Sequence, residues 1–227
     1  MKFDIIAIFP EPIISYLKES ILGRAAKKGL IKSRVINPRD FAPSGRLDDR
    51  PYGGGPGMVI QPEPVWRAVK SLRVKPSTDV EVIVFSPAGK QFDDKAALRL
   101  AEKKRLVFIA DRYEGLDERV RVILKKEGFK VTEISLGPYV LSGGELPTLA
   151  VIDAVSRKIR GVLGKEESLE EKRLGVGVPV YTRPAEIRIG KRKYKVPAVL
   201  LSGDHESIKA WRVAHRKKSP YNSRHEH

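Results

Sequence analysis

The chain has 227 residues, of which 41% are hydrophobic and 32% charged, a composition typical of a globular protein long enough to bury a core. It contains no cysteine, which excludes disulfide scaffolds, cysteine-ligated zinc, iron–sulfur clusters and thiol nucleophiles. The net charge is +16, with 11 basic against 4 acidic side chains in residues 185–227. Such a chain either binds a polyanion, most often a nucleic acid, or presents a solvated lysine-rich surface.

The first third of the chain alternates short apolar runs with helical patterns. Strands are predicted over 3–9 and 31–36, helices over 11–28 and 63–72, and a long loop rich in proline and glycine over 37–57. The opening MKFDIIAIFP is typical of a first strand rather than a signal peptide. Because no apolar run reaches the roughly 18 residues of a membrane span, we expect a cytoplasmic protein with no membrane partner.

Two runs in the middle of the chain, VEVIVF over 80–85 and LVFIA over 106–110, have the composition of strands buried on both faces. A helix over 94–104, with Asp93 as its N-cap, separates them. Further elements follow as a helix over 119–126, a strand over 129–134 and a helix over 147–159. Strands that alternate with helices predict an α/β fold with a parallel sheet covered on both faces.

A glycine-containing loop follows each of three predicted strands, over 86–89, 111–115 and 135–147. Any one of them is explained by ordinary turn chemistry. All three would lie at the carboxyl edge of the sheet, where α/β proteins bind ligands. None matches a P-loop or a dinucleotide fingerprint, so the pattern indicates a nucleotide-like ligand held mainly by backbone groups without naming it.

The pattern changes after Gly161, where KEESLEEKR over 165–173 is almost entirely charged. This composition is typical of an exposed linker. We therefore predict a ligand-binding domain over 1–160, an interdomain linker over 161–184 and a small basic domain over 185–227 that ends in a helix.

Five motifs, in this order, carry a resemblance to a known family. They are YGGGPGM (52–58), RYEGLDERV (112–120), YVLSGGELP (139–147), IDAV followed by Arg157, and YTRP (181–184). With them the chain resembles the bacterial tRNA (guanine-N1)-methyltransferases of the TrmD family, in the SPOUT superfamily. The resemblance implies a parallel-sheet methyltransferase domain with a deep trefoil knot and a small, mainly helical C-terminal domain. It also implies a homodimer with active sites at the subunit interface.

The resemblance further implies that S-adenosylmethionine is the methyl donor and that N1 of the guanosine 3′ of the tRNA anticodon is the acceptor. Among catalytic residues, Arg157 would stabilise the guanine oxygen and Glu114 would lie near the methionine part of the donor. Family members are reported to use magnesium, for which no metal site is legible in this sequence. The donor-binding residues implied are Phe85, Ser86, Pro87, Asp111, Tyr113, Gly115, Ser135, Leu136, Gly137, Pro138, Tyr139, Val140, Leu141, Gly143, Gly144 and Pro147. The implied substrate-binding residues are Asp49, Tyr52, Gly57 and Arg183.

Three positions depart from the family pattern. Lys172 stands where the family has its catalytic aspartate, so Glu171 becomes the expected base, with Glu170 as the next candidate. Asp111 stands where a glycine is usual before RYEG, and Pro138 replaces an aspartate and removes a backbone N–H. Two alternatives stay open: a SPOUT methyltransferase that acts on another RNA, and an RNA-binding homologue with impaired catalysis.

Overall fold

The computed structural model describes residues 1–43, 45–163 and 177–217. The chain divides into two compact units, Met1–Leu163 and Gly164–His227. The strands of the first unit are β1 (Lys2–Ala7), β2 (Lys32–Ile36), β3 (Asp48–Asp49), β4 (Val59–Ile60), β5 (Val80–Gln91), β6 (Arg105–Ala110) and β7 (Lys130–Ser135). Its helices are α1 (Pro10–Lys18), α2 (Ser20–Lys27), α3 (Pro62–Ser71), α4 (Asp94–Ala101), α5 (Arg119–Lys126) and α6 (Glu145–Lys158), with a 3₁₀ turn over Pro38–Phe41.

Five strands form one central sheet in the order β2-β1-β6-β5-β7. Every pair in it is parallel, which confirms the predicted α/β class with a parallel sheet. The carboxyl ends of β6, β5 and β7 are therefore adjacent, so the loops that follow them share one edge of the sheet.

The sheet separates two apolar cores. Phe3, Ile5 and Phe108 face one core, which α1, α2, α4 and α6 cover. Ile6 and Ile109 face the other, which α3 and α5 cover. Alternate residues of β1 and β6 thus enter opposite cores, which is why these strands are apolar without interruption.

Several elements differ from the sequence prediction, including the short strand β3 inside the predicted 37–57 loop. The single helix expected over 11–28 is broken into α1 and α2 at Ser20, whose φ is +47°. Strand β5 runs past its predicted end, and its pairing with β7 shifts register between Phe85 and Lys90. The 86–89 loop is therefore an excursion inside one long strand, because the chain returns to pair again with Ile134 and Ser135. By contrast, the predicted N-cap is observed, since the Asp93 carboxylate accepts a hydrogen bond from the Ala96 N–H at 2.8 Å.

The described part of the second unit, residues 177–217, begins with an antiparallel hairpin of β8 (Glu186–Ile189) and β9 (Arg192–Lys195). A 3₁₀ turn over Ala198–Leu201 and helix α7 (His205–Ala214) follow. The hairpin was not predicted from the sequence, whereas a helix was expected at the end of this region. Within the described ranges of both units, no helix is long and apolar enough to cross a membrane.

Candidate functional site

A cavity lies at the shared carboxyl edge of β5, β6 and β7, where parallel α/β sheets bind ligands. Three segments form its wall: Phe85–Pro87, Asp111–Gly115, and the loop between β7 and α6. The lining residues are Phe85, Ser86, Pro87, Asp111, Arg112, Tyr113, Glu114, Gly115, Ile134, Ser135, Leu136, Gly137, Tyr139, Val140, Leu141, Gly143, Gly144 and Pro147.

The structure brings together all of the predicted donor-binding residues except Pro138. The Pro138 side chain is exposed and does not line the cavity. Arg112 and Ile134 line it without having been predicted as binding residues. Ile134 could have been found as the apolar residue that ends β7, and Arg112 as the first residue of the RYEG motif.

Backbone contacts hold two walls of the cavity together. Arg112 and Gly143 form an antiparallel β-bridge, and the Gly144 N–H donates to the Asp111 carbonyl oxygen at 2.8 Å. A Cβ atom on Gly144 would lie 2.6 Å from the Ala110 Cα and 2.8 Å from the Asp111 nitrogen. Glycine is therefore required here, because only a residue without a side chain allows this approach of backbone to backbone.

The Arg112 side chain reinforces the same junction. Its Nε lies 3.0 Å from each carboxylate oxygen of Glu145, the buried first residue of α6. Its guanidinium carbon lies 4.7 Å from the centre of the Phe9 ring. A planar guanidinium can satisfy a carboxylate and stack on an aromatic ring at once. The Arg112 charge is thus engaged in holding the cavity walls.

The loop after β7 presents backbone groups and apolar side chains to the cavity. The Ser135 hydroxyl accepts from the Gly137 N–H at 3.2 Å and donates to the Gly137 carbonyl at 3.1 Å, which closes a tight turn. Beyond the turn, Tyr139, Val140 and Leu141 are exposed. Exposed apolar side chains beside free backbone groups suit a flat heterocycle recognised by its edges.

Asp111 carries the most unusual electrostatics of the cavity. Burial raises the pKa of its carboxyl to about 6, because a low-dielectric surrounding disfavours the charged form. Its own N–H and Arg121 act against this rise in pKa, whereas Glu145 and Glu133 add to it. Asp111 is therefore a carboxyl poised to change protonation near neutral pH.

The predicted guanosine loop lies against the RYEG segment. The Glu114 N–H donates to the Met58 carbonyl oxygen and the Ile60 N–H to the Gly115 carbonyl oxygen, each at 3.0 Å. Gly57 faces the Glu114 side chain so closely that a Cβ atom there would overlap it. The cavity wall and the 52–58 loop are thus joined through backbone pairing.

The other predicted substrate residues do not line this cavity. Asp49 lies in β3, which pairs with β4, and the Tyr52 side chain is almost completely exposed. Arg183 is exposed and belongs to the second unit.

Arg157 stands apart from the cavity within one chain. It occupies the last turn of α6, whose first turn forms the cavity wall. At 1.5 Å per residue this separation is about 18 Å along the helix. One turn before it, Asp153 accepts a hydrogen bond from the Tyr16 hydroxyl at 3.0 Å, and this contact raises the pKa of Tyr16. The predicted base Glu171, with Glu170 and Lys172, lies outside the described residues.

Metal ligands are not grouped in the part of the chain that the structure describes. No set of three or more histidine, aspartate or glutamate residues there could hold an ion.

Comparison with known proteins identifies a family to which the chain is similar. Residues 1–227 match the family described as tRNA (Guanine-1)-methyltransferase TrmD. The chain is 45% identical to a protein of Dictyoglomus turgidum over 93% of this chain and 83% of that protein. It is 46% identical to one of Brevibacillus brevis over 94% and 85%, and 43% identical to one of Aquifex aeolicus over 95% and 81%. All three relatives are named tRNA (guanine-N(1)-)-methyltransferase.

Proposed function

The chain belongs to the tRNA (guanine-1)-methyltransferase family and is a tRNA methyltransferase, and from this premise we propose that it transfers the methyl group of S-adenosylmethionine to N1 of the guanosine 3′ of the anticodon. The observation that carries the donor assignment is the cavity at the carboxyl edge of three adjacent strands. A tRNA substrate also supports the cytoplasm as the place of action.

The residues that line the cavity suit the chemistry of S-adenosylmethionine. The turn over Ser135–Gly137 and the apolar side chains after it suit the adenine ring. Close packing at Gly144 brings backbone donors and acceptors to the cavity surface. When bound, S-adenosylmethionine supplies a methyl group on a positively charged sulfur. The exposed Glu114 carboxylate in the wall complements the ammonium group on the amino-acid part of the donor.

The acceptor chemistry requires a base and a cation. N1 of neutral guanine carries a proton, so a carboxylate must remove it, and negative charge then develops toward the guanine oxygen. We assign the base to Glu171, with Glu170 as the alternative. We assign the stabilising cation to Arg157, whose guanidinium N–H groups can donate hydrogen bonds to that oxygen.

The position of Arg157 supports a homodimer with composite sites. Within one chain Arg157 lies about 18 Å along α6 from the donor cavity, too far to act on a methyl group held there. Helix α1, which contacts α6 through Tyr16 and Asp153, exposes Ile14 and Tyr16. An exposed apolar surface near a separated catalytic residue is what a two-subunit site requires. The partner subunit would then supply Arg157 to the cavity.

The family also supports the finer fold assignments. We propose that the chain between β6 and α6 forms the deep trefoil knot of SPOUT proteins, with the contacts of Gly143 and Gly144 holding its crossing. We further propose that the basic second unit binds the tRNA backbone, since Lys and Arg neutralise phosphates. Arg183 and the cluster Arg188, Lys191, Arg192, Lys193 and Lys195 are its candidate contacts.

A methyl-transfer assay with two transcripts tests this function. One tRNA carries guanosine 3′ of the anticodon, and its twin carries adenosine there. The wild-type protein with S-adenosylmethionine should methylate only the first. Arg157→Ala should lower kcat by about 100-fold, in line with the loss of one oxyanion donor.

Variants in the linker separate the remaining possibilities. Glu171→Gln should abolish transfer and Lys172→Ala should retain it. If methyl transfer survives Glu171→Gln, the base is Glu170 or another carboxylate. Tight tRNA binding with no transfer to either transcript would favour an RNA-binding homologue with impaired catalysis, and methylation of a different RNA alone would favour the other alternative.

A further inference from the structure

Asp111 is a partly buried carboxylate in the cavity wall, and the proposed mechanism gives it no task. Glu145 is paired with Arg112, and the Glu114 side chain is exposed at the opening. Among the described residues, the Asp111 side chain has no ion pair and no hydrogen bond to another side chain. Its carboxylate therefore lacks the cationic partner that buried carboxylates normally have.

The surroundings of Asp111 are acidic. Glu145 and Glu133 lie near enough to act on its charge, and Arg121 is the cation that opposes them. Arg121 is itself engaged by Glu133 at 2.6 Å and by Glu118. The negative charge of this part of the cavity is thus incompletely balanced by the chain. A ligand with a positive charge would supply what is missing.

We propose that Asp111 recognises the positively charged sulfur of the methyl donor and so distinguishes the donor from its demethylated product. This inference rests on the proposed function, because it takes S-adenosylmethionine as the donor. Methyl transfer converts the sulfonium into a neutral thioether, while the adenosine and amino-acid parts stay the same. A carboxylate facing the sulfur would therefore attract the donor and lose that attraction once transfer has occurred.

S-adenosylmethionine carries two positive groups, an ammonium and a sulfonium, which differ in how strongly water solvates them. An ammonium group is strongly hydrated and suits an exposed carboxylate such as Glu114 at the opening. A sulfonium carries no N–H donors, so it loses little when it enters a site that excludes water. The partly buried Asp111 carboxylate matches the sulfonium for this reason, and the loss of the charge on transfer would assist product release.

The preference for S-adenosylmethionine over S-adenosylhomocysteine should depend on pH. A cation binds the ionised form of Asp111, so affinity for S-adenosylmethionine should fall as the pH decreases through about 6, the pKa of the free site. The other charged groups around Asp111 are Glu145, Glu133 and Arg121. Glu145 is paired with Arg112 and Glu133 with Arg121, so Asp111 is the unpaired carboxylate of this group. Affinity for S-adenosylhomocysteine should change much less over the same range.

Calorimetric titration of the intact protein with S-adenosylmethionine and with S-adenosylhomocysteine tests the inference. Asp111→Asn should weaken donor binding by about tenfold and product binding by less than about twofold. Asp111→Glu, which keeps the charge, should retain part of the preference. The control is Asp79→Asn, an exposed aspartate paired with Lys104 beyond the amino end of β5, which should change neither affinity.

Equal weakening of both ligands in Asp111→Asn would overturn the inference, because it would place Asp111 on the ribose or the ammonium group. Unchanged affinities would overturn it as well. The pH series on wild-type protein gives a second test that needs no variant, and parallel pH profiles for the two ligands would contradict the inference. If the wild-type protein binds neither ligand, both the assignment of S-adenosylmethionine as donor and the role of Asp111 are wrong. If it binds both ligands without preferring the donor, the donor assignment stands and only the role of Asp111 is wrong.

Discussion

At the scale of single residues, the donor cavity contains a carboxyl group, that of Asp111, whose ionised form lowers the stability of the fold. A carboxyl group whose pKa rises on folding binds protons more tightly in the native state than in the unfolded chain. Asp111 is such a group. Between its unfolded value near 4 and its folded value of about 6, the native state holds the extra proton. Stability contributed by protonated Asp111 is therefore lost as the pH rises through this window.

Replacement of Asp111 by asparagine should make the protein more stable at neutral pH. The variant removes a partly buried, unpaired charge without a change in size, so we expect the free energy of unfolding at pH 7.5 to increase by about 1–3 kcal/mol. The gain should disappear below about pH 3, where wild-type Asp111 is protonated in both states. Urea titrations of both proteins across this pH range measure it, and a variant less stable at pH 7.5 would show that a partner compensates the charge.

At Gly144 the lack of a side chain is itself needed, because two backbone segments are in contact there. Gly144→Ala would place a methyl group 2.6 Å from the Ala110 Cα, and neither backbone segment can yield to it cheaply. We expect a loss of about 1–3 kcal/mol in stability together with at least tenfold weaker donor binding. Gly190→Ala in the hairpin turn, where a Cβ atom meets nothing within 4 Å but φ is +60°, carries backbone strain without steric contact and should leave donor binding unchanged. Normal donor binding by Gly144→Ala would show that the walls can separate.

At the scale of elements, the cavity depends on loops that brace one another. The segment after β6 is tied to the loop before α6 through Gly143, Gly144 and the Arg112–Glu145 ion pair. It is also tied to the 52–58 loop through Met58 and Ile60. Donor and guanosine regions therefore share the RYEG segment as a common support.

The two partners of the Arg112–Glu145 pair should differ in the effect of their removal. Arg112→Ala leaves a buried carboxylate without its cation and should cost about 3–5 kcal/mol. Glu145→Gln keeps a hydrogen-bond acceptor and leaves Arg112 on Phe9, and should cost about 1–2 kcal/mol. Chemical denaturation of both variants compares them. Equal losses of stability in the two variants would mean that an unpaired Glu145 carboxylate costs no more in this site than an unpaired Arg112.

At the scale of the whole molecule, positive charge is concentrated where tRNA binding is proposed. Register pairs Arg188 with Lys193 and Glu186 with Lys195, so these four side chains share one face of the hairpin. Glu186 lies 3.2 Å from Lys193 and 3.4 Å from Lys195, which offsets part of their charge. Arg188 and the turn residue Lys191 are therefore the strongest candidates for phosphate contacts.

A double variant, Arg188→Ala with Lys191→Ala, should weaken tRNA binding and reduce its dependence on salt. Each lost phosphate contact lowers the slope of log K against log salt concentration by about one, so a reduction of about two is expected. Lys27→Ala with Lys28→Ala, which removes two exposed lysines at the end of α2, serves as the charge-matched control. Identical slopes for the two double variants would assign the tRNA contacts to another surface.

From the sequence alone follow the α/β class, the order of the long strands and helices of the first unit, and the composition of the donor loops. Continuous apolar runs specify strands covered on both faces, and glycine-rich segments after them mark the ligand edge. Only the tertiary structure decided which loops meet, because the order β2-β1-β6-β5-β7 depends on contacts between distant segments. The break at Ser20, the excursion of β5 and the exclusion of Pro138 from the cavity likewise depend on packing. The raised pKa of Asp111 arises from burial, a property of the assembled site that no local sequence pattern encodes.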